Sequence, residues 1–516
     1  MTQFGIFHRH GGVRGSNNAP HSESFEGRFG RMFRWLRPAS FSQGALLALA
    51  AKMVAEPEDE PTPETEVDDE ENQGIAAGYT YLGQFIDHDL TFDPASSLMK
   101  QNDPDALVDF RNPQFDLDNV YGRGPDDQPY LYEDDGRHFQ LGRVLTGNPS
   151  DPHTRDVPRH SSDTVPGSRD RALIGDPRND ENVIVSQLQA VMLRFHNKLA
   201  DEHPDLGFSE IQRLVRWHYQ WVVLYDFLPT IVGQEMLESV LPPLKRGRWI
   251  HRDKPDLEFF KWKKDPFIPI EFSAAVYRFG HSMVRPIYRL STTLGANPPP
   301  ANDPVNGRQF IFHPDDDALS LNGFRAFPSN WAIEWNLYFD FGDKLPNVGV
   351  KRLQRAYKID TSLVSPLGTL PGLVASDIRS LAARNLLRGL SMGLPSGQDV
   401  ARAMSVPVIS DDDLRIGKAT EQDSAANPRL VDLPGVGREF VGKAPLWYYI
   451  LAEAQQNFKT NATPIRLGPV GGRIVTEVLV GLMLGDRHSF LVQEPTWTPN
   501  SASRFTMADL IKQAIG

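Results

Sequence analysis

The chain reads as mainly α, a single large helical domain with long loops and little β structure, and three observations carry that reading. Apolar residues recur at helical spacing, above all in 182-NVIVSQLQAVMLRFHNKLADE-202, where Ile184, Leu188, Val191, Phe195 and Leu199 share one stripe. The period-two alternation of half-buried strands is scarce. Long Pro/Gly-rich stretches, 144-VLTGNPSDPHTRDVPRHSSDTVPGS-168 and 293-TLGANPPPANDPVNGR-308, are loops too long to be simple connections.

From the N-terminus, residues 1 to 74 read as a loosely structured, flexible arm with one short helical piece around Phe41 to Val54. Its segment 56-EPEDEPTPETEVDDEEN-72 holds ten acidic residues and no basic one, which makes it a solvated linker and the source of most of the formal charge of -12. Order is expected from about Gly74, with one domain over 75–516. Helices are expected at Tyr79–Phe92, 182–202, 209–233, 271–284, 377–390, 444–456 and 470–485, the last placing Ile474, Val478 and Leu482 on one stripe.

Composition removes whole classes of function. With no cysteine, disulfides, thiolate catalysis and iron–sulfur clusters are excluded, so any metal must be held by His, carboxylate or carbonyl oxygen. No apolar run has the roughly 18 to 20 residues that a transmembrane helix needs, and no basic, aromatic-interleaved patch argues for nucleic acid. The N-terminus lacks the apolar core of a classical signal peptide. A cytoplasmic protein, or one exported by a signal-less route, is therefore expected, with oligomeric state left open.

Five clusters carry chemistry. In 79-YTYLGQFIDHDLTFDP-94, Gln84 and His88 stand at i and i+4 on one helical face, with Asp87 and Asp89 to either side of the histidine. The bare pattern also suits a structural histidine. In 175-GDPRNDEN-182, Asp176 or Asn179 can cap a helix that Pro177 begins, with Arg178 and Glu181 three apart. In 277-YRFGHSMVRP-286, Gly280 beside His281 leaves room for a planar ligand. In 384-RNLLRGLSMGLPSGQ-398, Asn385 lies on the polar side of a helix. In 112-NPQFDLDNVYG-122, Asn112, Asp116 and Asp118 alternate on an extended loop and suit a hard cation that wants six to eight oxygens.

Together and in this order, GQFIDHD, LDNVYG, GDPRxxE, YRFGH and N-x-x-R-x-x-x-x-G-L-P, the clusters resemble the haem peroxidase–cyclooxygenase superfamily over about Tyr79 to Gly485. The resemblance implies a helical haem peroxidase domain that binds a haem b derivative and one calcium ion. It implies His88 as the distal base, Gln84 as its neighbour and Arg178 as the distal cation. His281 would ligate the iron, with Asn385 holding its other ring nitrogen and Arg278 beside the haem. Asp87 and Glu181 would be the carboxylates that form ester links to the haem. Asp89, Asn112, the carbonyl of Gln114, Asp116 and Asp118 would hold calcium.

The implied activity reduces hydrogen peroxide through a ferryl intermediate and oxidises a small donor, a halide, pseudohalide or phenol-like aromatic. A fatty-acid dioxygenase is the alternative within the superfamily. It is disfavoured because the position three before His281, which carries the substrate radical in those relatives, is Arg278, while Tyr277 is expected to point elsewhere. A non-catalytic haem-binding protein would need His281 alone, not His88 and Arg178. A phosphohydrolase built on His88-Asp89 lacks suitable companions among His153, His160 and His196, and His196 itself reads as a structural hydrogen-bonding residue. Asn182, where one relative has a methionine, removes a third haem link. The missing cysteines fit a bacterial or intracellular member.

Overall fold

The computed structural model describes residues 27–57, 68–92, 108–160, 170–242, 255–294, 307–313, 320–372, 374–375, 377–460, 463–499 and 504–516. Helices dominate it, and strands form only short pairs and one three-stranded sheet, in which Gly27–Gly30 lies between Val108–Asp109 (antiparallel) and Ile268–Pro269 (parallel). The fold is the mainly α architecture that periodicity predicts. No helix among the described residues is long and apolar enough to cross a membrane.

The two strongest periodic segments are core helices. Val183–Glu202 begins at Asn182, whose Oδ1 accepts from the N–H groups of Ile184 and Val185 at 3.1 and 2.9 Å. Its stripe of Ile184, Leu188, Val191, Phe195 and Leu199 is buried. Pro469–Gly485 is apolar almost all round and buried to match. Its first turn is met by the Glu453 carboxylate, which accepts from Val470 N and Gly471 N at 3.0 and 3.1 Å, an anion at the positive end of a helix. Ser380 and Ser42 cap Leu381–Ser391 and Gln43–Met53 with neutral hydroxyls, which accept from Ala383 N and Ala45 N.

Three expectations are corrected. Residues 27–57 are not loose: Phe29, Met32 and Phe33 are buried, Glu271 accepts from Met32 N and Phe33 N at 3.0 and 3.1 Å, and Arg31 donates to the carbonyls of Met392 and Gly393. Buried apolar side chains override the low periodicity of that stretch. The acidic run is also divided: 58–67 lie outside the described residues, but Glu71 is buried between Arg285 and Arg352 in a strand, Glu71–Ala76, that pairs with Arg355–Tyr357. Third, 271–284 is not one helix. Ile270–Ala274 ends where Ala275 leaves helical geometry (φ -138°, ψ -71°), and a tight 3₁₀ segment, Val276–His281, follows. Phe272 stacks on Tyr277 across the break at 4.6 Å, so tertiary aromatic packing wins over local periodicity.

The segment 209–233 is helical, as expected, but Phe208–Val222 and Leu228–Val232 are joined through a π-helical stretch, Val223–Phe227. Pro229, which has no N–H to donate, stands where the widened turn ends. The helix Gly78–Leu90 carries the GQFIDHD motif. Gly78 N donates to Tyr338 O at 2.9 Å, and a Cβ there would meet the Phe339 ring at 2.4 Å and Tyr338 O at 2.6 Å. Gly78→Ala should therefore displace the start of this helix and lower unfolding stability by about 1–3 kcal/mol, the usual cost of overpacking, whereas Gly83→Ala, with only ordinary contacts to Phe227, should cost less than that. Urea unfolding of both variants checks the contrast, and equal midpoints would refute it.

Candidate active site and candidate metal centre

Two histidines from different elements line one cavity of about 360 Å³: His88 from the helix Gly78–Leu90 and His281 from the 3₁₀ segment Val276–His281. Gln84, Asp87, Arg178, Glu181 and Arg278 line it too, so the motifs far apart in sequence converge. A wider cleft of about 1410 Å³ opens elsewhere, beside Asn112, Gln114, Asp116 and Asp118, and does not reach either histidine.

A chain of amides fixes the protonation of His88. Gln189 Nε2 donates to Asn119 O at 3.4 Å, so Gln189 Oε1 is free to accept from Asn179 Nδ2, at 2.9 Å. That leaves Asn179 Oδ1 to accept, and it lies 2.7 Å from His88 Nδ1. Nδ1 therefore carries the proton and Nε2 the lone pair. Burial, reinforced by the Arg178 charge, pushes His88 down to about 4, which keeps the ring neutral at neutral pH. Asn179 is thus not the helix cap that its spacing allowed: Asp176 caps the 3₁₀ turn Pro177–Asp180, and Asn182 caps the helix beyond it.

Arg178 is held rigidly. Its guanidinium donates to Asp176 at 2.7 Å and to the His88 carbonyl at 3.1 Å, and lies 4.5 Å above the Phe92 ring. Burial alone would raise Asp176, but Arg178 and Arg111 hold its carboxyl far below the ordinary range. The pairings form a ladder of alternating charge, Asp118 to Arg111 at 3.4 Å, Arg111 to Asp176 at 2.5 Å, Asp176 to Arg178 at 2.7 Å. Gln84 bridges two neighbours, donating to Glu181 Oε2 and accepting from Asn182 Nδ2, both at 3.2 Å. Burial pushes Glu181 up to about 7, and Asp87 accepts from Thr91 Oγ1 at 3.0 Å.

On the other element, the Asn385 amide meets His281 Nδ1 at 2.7 Å, while Arg278 donates to Asn385 Oδ1 at 3.3 Å and to the Ser273 carbonyl at 2.9 Å. Burial, with Arg278 second, pushes His281 down to about 3. A Cβ on Gly280 would meet nothing within 4 Å, so open space adjoins the histidine. A planar group with a metal at its centre fits this donor set: a neutral imidazole, an open flank, and Arg278, Arg384 and Arg388 on the walls for anionic edge groups.

Beside His88, Asp89 points into a different environment. Asp89, Asp116 and Asp118 each offer an oxygen within 4.8 Å of the others, Asp89 being fully buried with neither oxygen in a hydrogen bond. Burial, then mutual repulsion, raises Asp89 and Asp118 well above the carboxylate range. Asn112 Nδ2 donates to Asp116 Oδ2 at 2.7 Å, and Asn112 and Gln114 share the adjoining cleft wall. An oxygen cluster of this kind suits a hard cation.

Sequence reasoning missed five contributors. Asn179 and Gln189 orient His88, and only the spatial chain reveals them. Arg384 and Arg388 line the cavity from the helix of Asn385, at positions one before and three after it. Tyr277 lines the cavity as well, where it had been expected to point away; its hydroxyl is buried without a hydrogen-bond partner. His196 is structural, as read: Tyr121 Oη lies 2.9 Å from its Nδ1 and Arg137 O 2.8 Å from its Nε2.

The family model for animal haem peroxidase matches residues 111–327. Among relatives, the dual oxidase of Drosophila melanogaster is 33% identical over 126 residues, 23% of this chain and 7% of that protein. Thyroid peroxidase of Homo sapiens is 26% identical over 325 residues, 61% of this chain and 30% of that protein. The chain thus matches less than a third of either relative's length. Peroxidase A from Dictyostelium discoideum superposes with a TM-score of 0.58 at 16% identity, covering 97% of this chain and 95% of that one. An Oryza sativa fatty acid alpha-dioxygenase variant with palmitic acid gives 0.54 at 16% identity, over 90% and 77%. The family match over residues 111–327, the peroxidase relatives and the shared fold support the haem peroxidase–cyclooxygenase superfamily for this chain.

Proposed function

We propose that the chain is a haem peroxidase that reduces hydrogen peroxide and oxidises a small donor such as a halide, pseudohalide or phenol-like aromatic. The observation that carries this reading is a neutral His88 with its lone pair fixed on Nε2, in one cavity with Arg178 and with a second neutral histidine, His281. A protein that only carried haem would have no use for the amide chain that sets the first histidine.

When bound, the haem iron supplies the redox chemistry that cleaves the peroxide O–O bond. The chain's own residues do the rest. His88 Nε2 takes a proton from peroxide and returns it to the departing oxygen, a transfer that needs an unprotonated base at the working pH. Arg178, immobilised by Asp176, stabilises the negative charge that develops there. His281 would hold the haem iron, and the Asn385 amide, 2.7 Å from its Nδ1, would fix the orientation of the ring. Arg278, Arg384 and Arg388 on the cavity walls would meet anionic edge groups of the haem. Asp87 and Glu181 would form the ester links, Gln84 holding Glu181 in place.

Asp89, Asp116 and Asp118, with Asn112 and the Gln114 carbonyl, would hold one calcium ion. Support comes from the cost of burying Asp89, neither of whose oxygens is in a hydrogen bond, beside two further carboxylates, a cost that a divalent cation removes. The ion would tie the 112–118 loop to the helix that presents His88. The domain would then run from residue 27 to the end of the described chain.

A second reading, oxygenation of a fatty acid, is favoured by one observation: Tyr277 shares the cavity with the apolar Leu367, Leu370, Val374 and Leu381. Oxygen uptake with palmitate as sole substrate would select this reading, and its absence alongside donor oxidation would select peroxidase.

Haem and calcium are tested separately. After reconstitution with haem, one equivalent of hydrogen peroxide should shift the Soret band and a donor should restore it. His88→Ala should slow the shift by roughly 10²- to 10⁴-fold, the usual contribution of a general base. By stopped flow the wild-type rate should be level from pH 8 to 5 and fall only toward about 4, because burial holds His88 there; a fall through its ordinary 6.5 would refute the assignment. Separately, calcium added to chelator-treated protein should raise thermal stability by about 2.7 kcal/mol at 100 times its dissociation constant. Asp89→Asn should abolish that gain. Identical melting of the wild type with and without calcium would rule the ion out.

A further inference from the structure

The proposed chemistry gives no role to one hydrogen-bonded phenol of the cavity. Tyr79 stands in the first turn of the helix Gly78–Leu90 and lines the same cavity as His88 and His281. Its hydroxyl donates to Asp226 Oδ1 at 2.6 Å. Asp226 is 7% exposed and sits in the π-helical stretch Val223–Phe227, the kind of widened turn that recurs at functional sites. Its other oxygen accepts from Met507 N at 2.8 Å, and the charged groups that face it are Arg504 and Asp509 from the C-terminal segment.

Three tyrosines line the cavity, and they differ in one respect. The hydroxyls of Tyr81 and Tyr277 are buried with no hydrogen-bond partner. A phenol that loses an electron becomes strongly acidic, so its oxidation near neutral pH needs a base in place for the proton. Among these three tyrosines and the described residues around them, only Tyr79 has one, a carboxylate within the range of direct proton transfer. Burial raises both partners above their ordinary values, so the phenol stays protonated and the Asp226 carboxylate is a stronger base than an exposed one.

We infer that Tyr79 is an electron-relay residue paired with Asp226. It gives one electron to the peroxide-oxidised haem, and its phenol proton passes to Asp226 Oδ1. A donor then returns one electron to the phenoxyl oxygen, Asp226 returns the proton, and the donor leaves as a radical after losing its own proton to solvent. The haem is reduced by one electron and the donor oxidised by one, so the relay serves donors that meet Tyr79 rather than the iron. This inference rests on the peroxidase reading.

The test is electron paramagnetic resonance of the haem-loaded full chain, frozen after one equivalent of hydrogen peroxide, with the Soret band recorded on the same samples. An organic radical is expected that narrows when the protein is made with ring-deuterated tyrosine. Tyr79→Phe should lose most of that signal while its Soret band still responds to peroxide. Asp226→Asn, which keeps the phenol but removes the base, should lower the radical yield several-fold; a tie between helices that was merely structural would change apo-protein melting in both variants without changing the radical. A normal Soret response with an undiminished radical in Tyr79→Phe overturns the inference alone. A wild-type protein whose Soret band ignores peroxide overturns the peroxidase reading and the inference with it. Should Tyr79→Phe not fold, a radical that does not narrow with deuterated tyrosine, or one unchanged in Asp226→Asn, overturns the inference equally.

Discussion

The hydrogen bond between His88 Nδ1 and Asn179 Oδ1, 2.7 Å long, is the interaction on which the site depends. An imidazole can present a lone pair or a proton to a cavity, and nothing in its own chemistry chooses. Here the choice is made at a distance, by a backbone carbonyl that orients Gln189, which orients Asn179. The core helix Val183–Glu202 contributes Gln189, and the 3₁₀ turn before it contributes Asn179, so the packing of these elements on the helix Gly78–Leu90 is what sets a proton's position. Such a network is rigid because every member has only one way to satisfy its partners.

The helix Gly78–Leu90 distributes three consecutive side chains among three environments. Asp87 faces the cavity, His88 the cavity and its amide chain, and Asp89 the buried carboxylate cluster. A rotation of about a quarter turn per residue makes that division possible. It also makes the helix intolerant of displacement, because one shift would misplace all three. The close approach of Phe339 and Tyr338 at Gly78 serves as the stop that sets its position.

Much of this was legible in the sequence. Period 3.6 found the core helices at 182–202 and 470–485, since both bury a continuous stripe and local pattern and tertiary packing agree. The motifs named His88, Arg178, His281 and Asn385, and the structure brings the first three to one cavity with Asn385 behind the third. What stayed hidden was spatial. Asn179 looked like a cap because Asn is a good cap, and its partner Gln189 carries no signal of its own. Residues 27–57 looked loose because their order comes from partners hundreds of positions away, such as Glu271 and the carbonyls of Met392 and Gly393. Tyr277 was misdirected because the segment was taken for an α-helix, and a 3₁₀ turn aims its side chains differently.

The ladder from Asp118 through Arg111 and Asp176 to Arg178 joins the carboxylate cluster to the cavity by alternating charges in direct contact. A cation settled among the carboxylates would compete with Arg111 for Asp118 and so strengthen the hold of Arg111 on Asp176. Asp176 would then be a weaker partner for Arg178, leaving its charge more available to an anion in the cavity. Thermodynamic reciprocity makes the exchange run both ways: occupancy of the cavity by an anion must change affinity for the cation by the same factor. Two sites separate in space would then share one equilibrium.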